Sequence, residues 1–316
     1  MNKRLSFLTA VGFLLLAISS FGQTDSLVAG EGFVEVTGGK VWYKIVGGGS
    51  SIPLLILHGG NGVSSIYLKP LEALADQRPV VFFDQLGCGN SPGPSDTSLW
   101  TIEKFVEQIA AVRKALNLKE IHLYGHSWGT MLATDYMLSE PAGVRSLVLA
   151  SPVLSIERYI QDKVKLLETL PDSISKVIKK NELEGTLDSP DYMPAMMVFL
   201  GRFFARKQPW SDELNQTFAT MNHSMGVYMF GSYNFRSTGS LAGYNRTDRL
   251  SEINLPTLLI TGEYDISTPA TAKYYQSLIP GAELVIIENA GHLTMQDNAE
   301  ADIKAIRDFL DKLEKK

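Results

Sequence analysis

The sequence predicts an α/β fold: a mostly parallel sheet flanked by helices, with a helical cap inserted late in the chain. Three observations lead there. Continuous apolar runs at 53–57 and 79–83 read as strands buried on both faces, the usual mark of parallel pairing, and the apolar-rich segments 120–124, 146–150, 255–261 and 282–287 read as further strands. Helical apolar spacing occupies 102–116 and 301–313, and strands alternating with helices imply a sheet covered on both sides. The interval between residue 151 and about residue 250 has no buried-strand pattern, reads as helical and is rich in Met and aromatic residues. About a hundred residues is too long for a structureless connection in a compact domain, so it reads as a cap over the site below it.

Taken in order, residues 1–22 do not belong to the core. Lys3 and Arg4 open the chain, residues 5–18 are apolar and uncharged, and Ser20, Phe21 and Gly22 end in small residues at the positions a signal peptidase reads. The expectation is a signal peptide cleaved between Gly22 and Gln23, a periplasmic or secreted protein, and no stable membrane insertion after cleavage. An uncleaved anchor helix is the alternative, for which the run is short. The sheet-and-helix core is expected over 23–151 and 251–316, and the cap over 152–250. Residues 33–36 and 40–46 flank Gly38 and Gly39 as a hairpin.

Composition narrows the function classes. The 316 residues are 45% hydrophobic and 20% charged, ample for one large core. Removing residues 1–22 takes away two of the 29 basic residues and none of the 34 acidic ones, leaving a net charge near −7. The only basic cluster is Lys312, Lys315 and Lys316, so nucleic acid is not an expected partner. Cys88 is the single cysteine, which excludes an intramolecular disulfide and a cysteine-based zinc site.

The chemistry is carried by Gly125-His126-Ser127-Trp128-Gly129, a G-x-S-x-G string between the strand at 120–124 and a helix expected over 130–140. A serine at such a corner sits on a tight turn with its hydroxyl pushed outward, and flanking glycines avoid a Cβ clash. A serine hydroxyl needs a base within hydrogen-bond reach and an acid to orient that base. Asp265 follows the strand ending at 261 and His292 follows the strand ending at 287, the chain order Ser, acid, His. Glu263 is the rival for the acid role. Of the other histidines, His122 lies within a strand, His126 within the turn itself and His223 in the cap. His58 opens His58-Gly59-Gly60-Asn61-Gly62, whose glycines allow a backbone N–H to face a developing oxyanion. The oxyanion donors are expected to be the amides of Gly60 and Trp128.

Together these strings, with Asp84-Gln85-Leu86-Gly87-Cys88-Gly89-Asn90-Ser91, Gly262-Glu263-Tyr264-Asp265 and Gly291-His292-Leu293-Thr294-Met295, resemble the proline iminopeptidase (prolyl aminopeptidase) family of α/β-hydrolases across nearly the whole mature chain. The resemblance implies the α/β-hydrolase fold with a helical cap, catalysis by Ser127, Asp265 and His292, no metal and no cofactor, and a small peptide or amide/ester substrate from which an N-terminal residue, often proline, is released. Three positions depart from the family. Asn61 stands where proline is frequent. Ile266 and Asn234 stand where aminopeptidase members resemble one another in carrying carboxylates for the substrate's ammonium group. A buried cation without such a partner costs several kcal/mol. Another acid, with Glu263, Asp191, Glu213 and Asp248 as candidates, replaces them, or the substrate presents no free amino terminus.

Overall fold

The computed structural model describes residues 26–314, so the signal peptide expected over 1–22 lies outside the described residues. Strands β1 (Gly30–Val36) and β2 (Gly39–Val46) pair antiparallel, with Val36 opposite Gly39. Gly38, at φ +91°, makes the reversal that a side chain would strain. Strands β3 (Leu54–Leu57), β4 (Val80–Phe83), β5 (Ile121–His126), β6 (Val144–Ala150), β7 (Thr257–Gly262) and β8 (Glu283–Ile287) complete an eight-stranded sheet ordered β1-β2-β4-β3-β5-β6-β7-β8. β2 joins β4 antiparallel, and all later pairings are parallel.

Side chains alternate across each strand, so the sheet builds two cores. Leu55 and Leu57 pack with α1 (Ile102–Ala115), α2 (Trp128–Met137) and α8 (Pro269–Leu278) on one face. Leu54 and Ile56 pack with a 3-10 stretch, Ser65–Asp76, and α10 (Ala299–Glu314) on the other. Along β3, β4, β5 and β7 neither face meets water, which is why these strands are rich in apolar residues. The helix expected over 130–140 instead begins at Trp128 and ends at Met137, and the chain then turns through Glu140 at φ +55°.

Helices α3 (Ile156–Glu168), α4 (Asp172–Glu184), α5 (Tyr192–Phe203), α6 (Asp212–Ala219) and α7 (His223–Met229) lie between β6 and β7. Their own apolar cluster joins Leu167, Ile178 and Phe199 to Ile266 of the sheet unit. A short helix, α9 (Thr294–Asp297), follows β8. Among the described residues, no helix is long and apolar enough to cross a membrane.

Candidate active site

Ser127 forms the corner between β5 and α2, with φ 51° and ψ −115°. An L-residue held there costs about 1–3 kcal/mol, strain that the surrounding structure must absorb. A Cβ on Gly125 would run into the Gly129 carbonyl, and one on Gly129 into the Leu57 carbonyl, so both flanking positions exclude a side chain. Ser127 also occupies the N-cap position of α2, where a serine hydroxyl ordinarily accepts from an amide of the first turn. It makes no such cap bond. Its Oγ lies 2.8 Å from His292 Nε2 instead. The Trp128 N–H, the first of α2, has no acceptor among the described residues, an orphan donor at a helix N-terminus.

His292 lies between β8 and α9, and its Nδ1–H donates to Asp265 Oδ1 at 2.7 Å. Asp265, completely buried after β7, is held by donors to both oxygens. The Ser267 N–H reaches Oδ1 at 2.7 Å, and the Thr261 hydroxyl reaches Oδ2 at 3.1 Å. With Nδ1 protonated toward Asp265, the Nε2 lone pair faces the Ser127 hydroxyl, the protonation pattern a general base requires. Glu263, the rival acid, is exposed and accepts from the Asn289 N–H at 3.0 Å.

The inserted helices hold the base in place. The His292 N–H donates to the Phe203 carbonyl at 3.0 Å and the Leu293 N–H to the Phe204 carbonyl at 2.9 Å. The Phe204 ring stacks on the imidazole, with centroids 5.6 Å apart. Asp297 accepts the N–H groups of Gly291, Arg206 and Lys207, tying the loop that carries His292 to the end of α5. From below, the Ser151 hydroxyl donates to the His292 carbonyl at 2.7 Å.

The two consecutive glycines of the run, Gly59 and Gly60, differ in what their amides meet. The Gly59 N–H donates to the Tyr67 hydroxyl at 2.7 Å. Gly60, at φ +65°, has no acceptor for its amide among the described residues. The Tyr67 hydroxyl passes its own hydrogen to His126 Nδ1 at 2.7 Å, and His126 Nε2–H donates to the His292 carbonyl at 3.0 Å. Burial, with the neighbouring His292 and His58 rings, pushes the pKa of His126 down to about 3, so the ring is neutral, as this chain of donors demands. His58 is likewise buried and its pKa lowered by desolvation. Its Nδ1–H donates to the Gly59 carbonyl, and its Nε2 accepts from Gln85 N–H. Gln85 completes the brace: its Nε2 donates to the His58 carbonyl at 3.0 Å, and its Oε1 accepts from Trp128 Nε1 at 2.8 Å. The Asp84-Gln85 string therefore fastens the glycine run to the serine corner. Tyr67 escaped the sequence reading because it sits in a 3-10 stretch without helical periodicity. Asn61 leaves its Nδ2 buried with no acceptor.

The candidate ammonium partners are all engaged elsewhere or exposed. Asp191 is bound by Ser189 and Asn181, Glu213 by Lys69, and Asp248 is exposed on the stretch before β7. Asn234 turns its Nδ2 to the Tyr192 hydroxyl at 3.0 Å. Ile266 is buried in the apolar cluster that includes Tyr159 and Phe235. Glu182 of α4, not singled out from sequence, is a buried carboxylate of the inserted helices, as is Asp162 of α3. Glu182 accepts from the Tyr192 hydroxyl at 2.5 Å, the Asn234 N–H at 2.9 Å and the Phe235 N–H at 3.4 Å.

Residues 52–299 match the family model described as the alpha/beta hydrolase fold. The chain is 40% identical over 287 residues to a proline iminopeptidase of Heyndrickxia coagulans, covering 90% of this chain and 99% of that one. Among solved structures, VinJ superposes with a TM-score of 0.86 at 30% identity, over 90% of this chain and 99% of the other. The proline iminopeptidase of Mycobacterium smegmatis does so with a TM-score of 0.85 at 28% identity, over 90% and 98%. With the fold, the order of its strands and the strings along it all in agreement, the chain belongs to the proline iminopeptidase family of α/β-hydrolases.

Proposed function

We propose that this serine hydrolase releases the N-terminal residue of a small peptide or amide through an acyl-enzyme on Ser127, proline being the residue its similarity to proline iminopeptidases suggests. His292 Nε2 takes the Ser127 proton as Oγ attacks the carbonyl carbon. Asp265 fixes the imidazole tautomer and stabilises the imidazolium. The Gly60 and Trp128 amides receive the oxyanion, and the imidazolium returns its proton to the departing amine. Water then enters, loses a proton to His292 and releases the acid by the same steps reversed. The observation that carries this reading is the continuous pair of contacts, Asp265 to His292 at 2.7 Å and His292 to Ser127 at 2.8 Å. Its test is Ser127→Ala, expected to leave the thermal unfolding transition in place, to abolish turnover and to abolish labelling by a fluorophosphonate. A fully active alanine variant refutes it.

A second reading is an esterase, lactonase or amidase acting on substrates without a free amino terminus. The uncharged Asn234 and Ile266 favour it. For location, we propose export to the periplasm or beyond, supported by the apolar run at 5–18 and the small residues before Gln23. Amino-terminal sequencing of the protein from cell fractions decides that point: a chain beginning at Met1 in the cytoplasm overturns it.

A further inference from the structure

The loop that carries His292 has little structure of its own. β8 ends at Ile287, and α9, which begins at Thr294, is a single turn without a side-chain cap. Asn289 holds φ +58°. The amides of this loop find their acceptors on other segments. The Asn289 N–H meets the Glu263 carboxylate, and the His292 and Leu293 N–H groups meet the Phe203 and Phe204 carbonyls. The sheet unit grips the His292 carbonyl, through the Ser151 hydroxyl and His126 Nε2–H. The amide side of the base therefore hangs on the inserted helices, and its carbonyl side on the sheet.

The segment that receives the amide needs support in turn. The Ala205 N–H still bonds back to the Leu200 carbonyl at 3.0 Å, but the next two amides have no backbone acceptor among the described residues. Both the Arg206 and the Lys207 N–H donate to Asp297 Oδ1, at 2.8 and 2.9 Å. Oδ2 of the same carboxylate accepts the Gly291 N–H at 2.8 Å. The two segments run so close that a Cβ on Gly291 would stand 2.8 Å from the Phe203 carbonyl oxygen. One side chain thus staples the residue before His292 to the residues just beyond the carbonyls that hold His292 and Leu293. Amide bonds to an ionised carboxylate are stronger than bonds to a neutral acceptor.

We propose that Asp297 is a positioning residue: by fastening the loop of the base to the inserted helices, it sets where the His292 imidazole stands relative to Ser127. This rests on the acyl-enzyme reading of Ser127. Ser127 and Asp265 follow β5 and β7 and are placed by the sheet, whereas His292 must meet both, at 2.8 and 2.7 Å, from a loop held by two units. Releasing its amide side lets the ring swing about the pinned carbonyl while its two partners stay fixed. A displacement of about 1 Å is enough to cost about a hundredfold in rate. The staple touches none of the reacting atoms, so its loss falls on the chemical step and spares substrate binding.

Asp297→Asn keeps the shape of the side chain and one acceptor oxygen, and turns a donor toward an amide. The experiment compares it with the parent in three measurements: thermal unfolding, kcat and KM for L-proline p-nitroanilide, and the second-order rate constant for fluorophosphonate labelling of Ser127. Below the unfolding transition, kcat and the labelling rate constant are each expected to fall about ten- to a hundredfold, with KM within about threefold of the parent. Asp297→Ser opens space instead of adding a donor; it is expected to show the same split and carries the measurement where Asp297→Asn does not fold. Ser211→Ala breaks a different bond between the inserted helices and the sheet unit, from the Ser211 hydroxyl to Gln296 Oε1 at 2.9 Å, and is expected to keep the parent rates. Loss of folded protein lowers the amount that labels but not the rate constant of what remains. Folded Asp297→Asn or Asp297→Ser that labels at the parent rate overturns the proposal, as does an equal fall in Ser211→Ala. If the prolyl anilide is not turned over, the choice of substrate fails and the labelling rates still decide the role of Asp297. A parent Ser127 that does not label removes the acyl-enzyme reading and this inference with it.

Discussion

Replacing Tyr67 by Phe tests the least visible part of the site. The substitution keeps the ring and removes one oxygen, so the core loses no volume. That oxygen accepts from the Gly59 amide and donates to His126 Nδ1, both at 2.7 Å and both buried. Its loss strands one donor and one acceptor where water does not reach. Each stranded group costs about 1–3 kcal/mol, so the variant is expected to be about 2–6 kcal/mol less stable. His126 cannot relieve the deficit by moving its ring proton to Nδ1, because its Nε2–H serves the His292 carbonyl at 3.0 Å. The assay is urea unfolding of both proteins, with the slope unchanged and the midpoint lowered. Because Gly59 precedes the free Gly60 amide, kcat is expected to fall more than KM rises. The pH dependence is set by His126, whose pKa is pushed down to about 3 from an ordinary 6.5. A base held neutral in this way contributes stability that is complete above about pH 6.5 and is lost as pH falls toward 3. Between pH 7 and 9 the difference between the two proteins is therefore expected to be constant. A change in stability under about 0.5 kcal/mol, the range of an ordinary surface substitution, would refute the chain of hydrogen bonds as drawn.

Asp265→Asn removes the charge beneath His292 while keeping an acceptor for Ser267 N–H; the expected outcome is a fall of about four orders of magnitude in kcat with the fold retained, and a variant within tenfold of the parent would contradict the assigned tautomer. Asp302 gives the opposite pH signature to His126. Burial raises its pKa from 3.8 to about 6, Thr294 satisfies one oxygen, and the other has no partner. Its contribution to stability is complete below about pH 4 and lost as pH rises through about 6. Asp302→Asn is therefore expected to gain up to about 3 kcal/mol over the parent above pH 6, a gain that disappears toward pH 4. Denaturant midpoints across that range measure it, and a pH-independent difference would sink the assignment.

The meeting of Ser127, His292 and Asp265 was legible because the place of each depends on local chain geometry. A G-x-S-x-G string between a strand and a helix produces the serine corner wherever it occurs in that context. Asp265 and His292 were legible because a parallel sheet brings the ends of its strands to one edge, so sequence order along the strands becomes proximity in space. The apolar runs of β3 to β7 declared their own burial. Tyr67, Gln85 and Asp297 could not be read this way, since each acts through a few hydrogen bonds to segments that only the fold brings beside it and has no periodic pattern to mark it. Glu182 was hidden for a related reason. A helical surface shows its apolar stripe in the sequence, but an isolated charge within it reads as solvated until the neighbouring helices are in place.

The amino-acid sequence by itself determined the sheet, the serine corner, and which aspartate and histidine meet that serine, because strand periodicity, glycine sterics and chain order are properties of short segments. Only the tertiary structure decided that the Gly59 amide is committed to Tyr67, which proton each buried histidine carries, and which donors the buried Glu182 carboxylate accepts. Those outcomes depend on desolvation and on which donors meet which acceptors, and both come into being only when distant segments close around them.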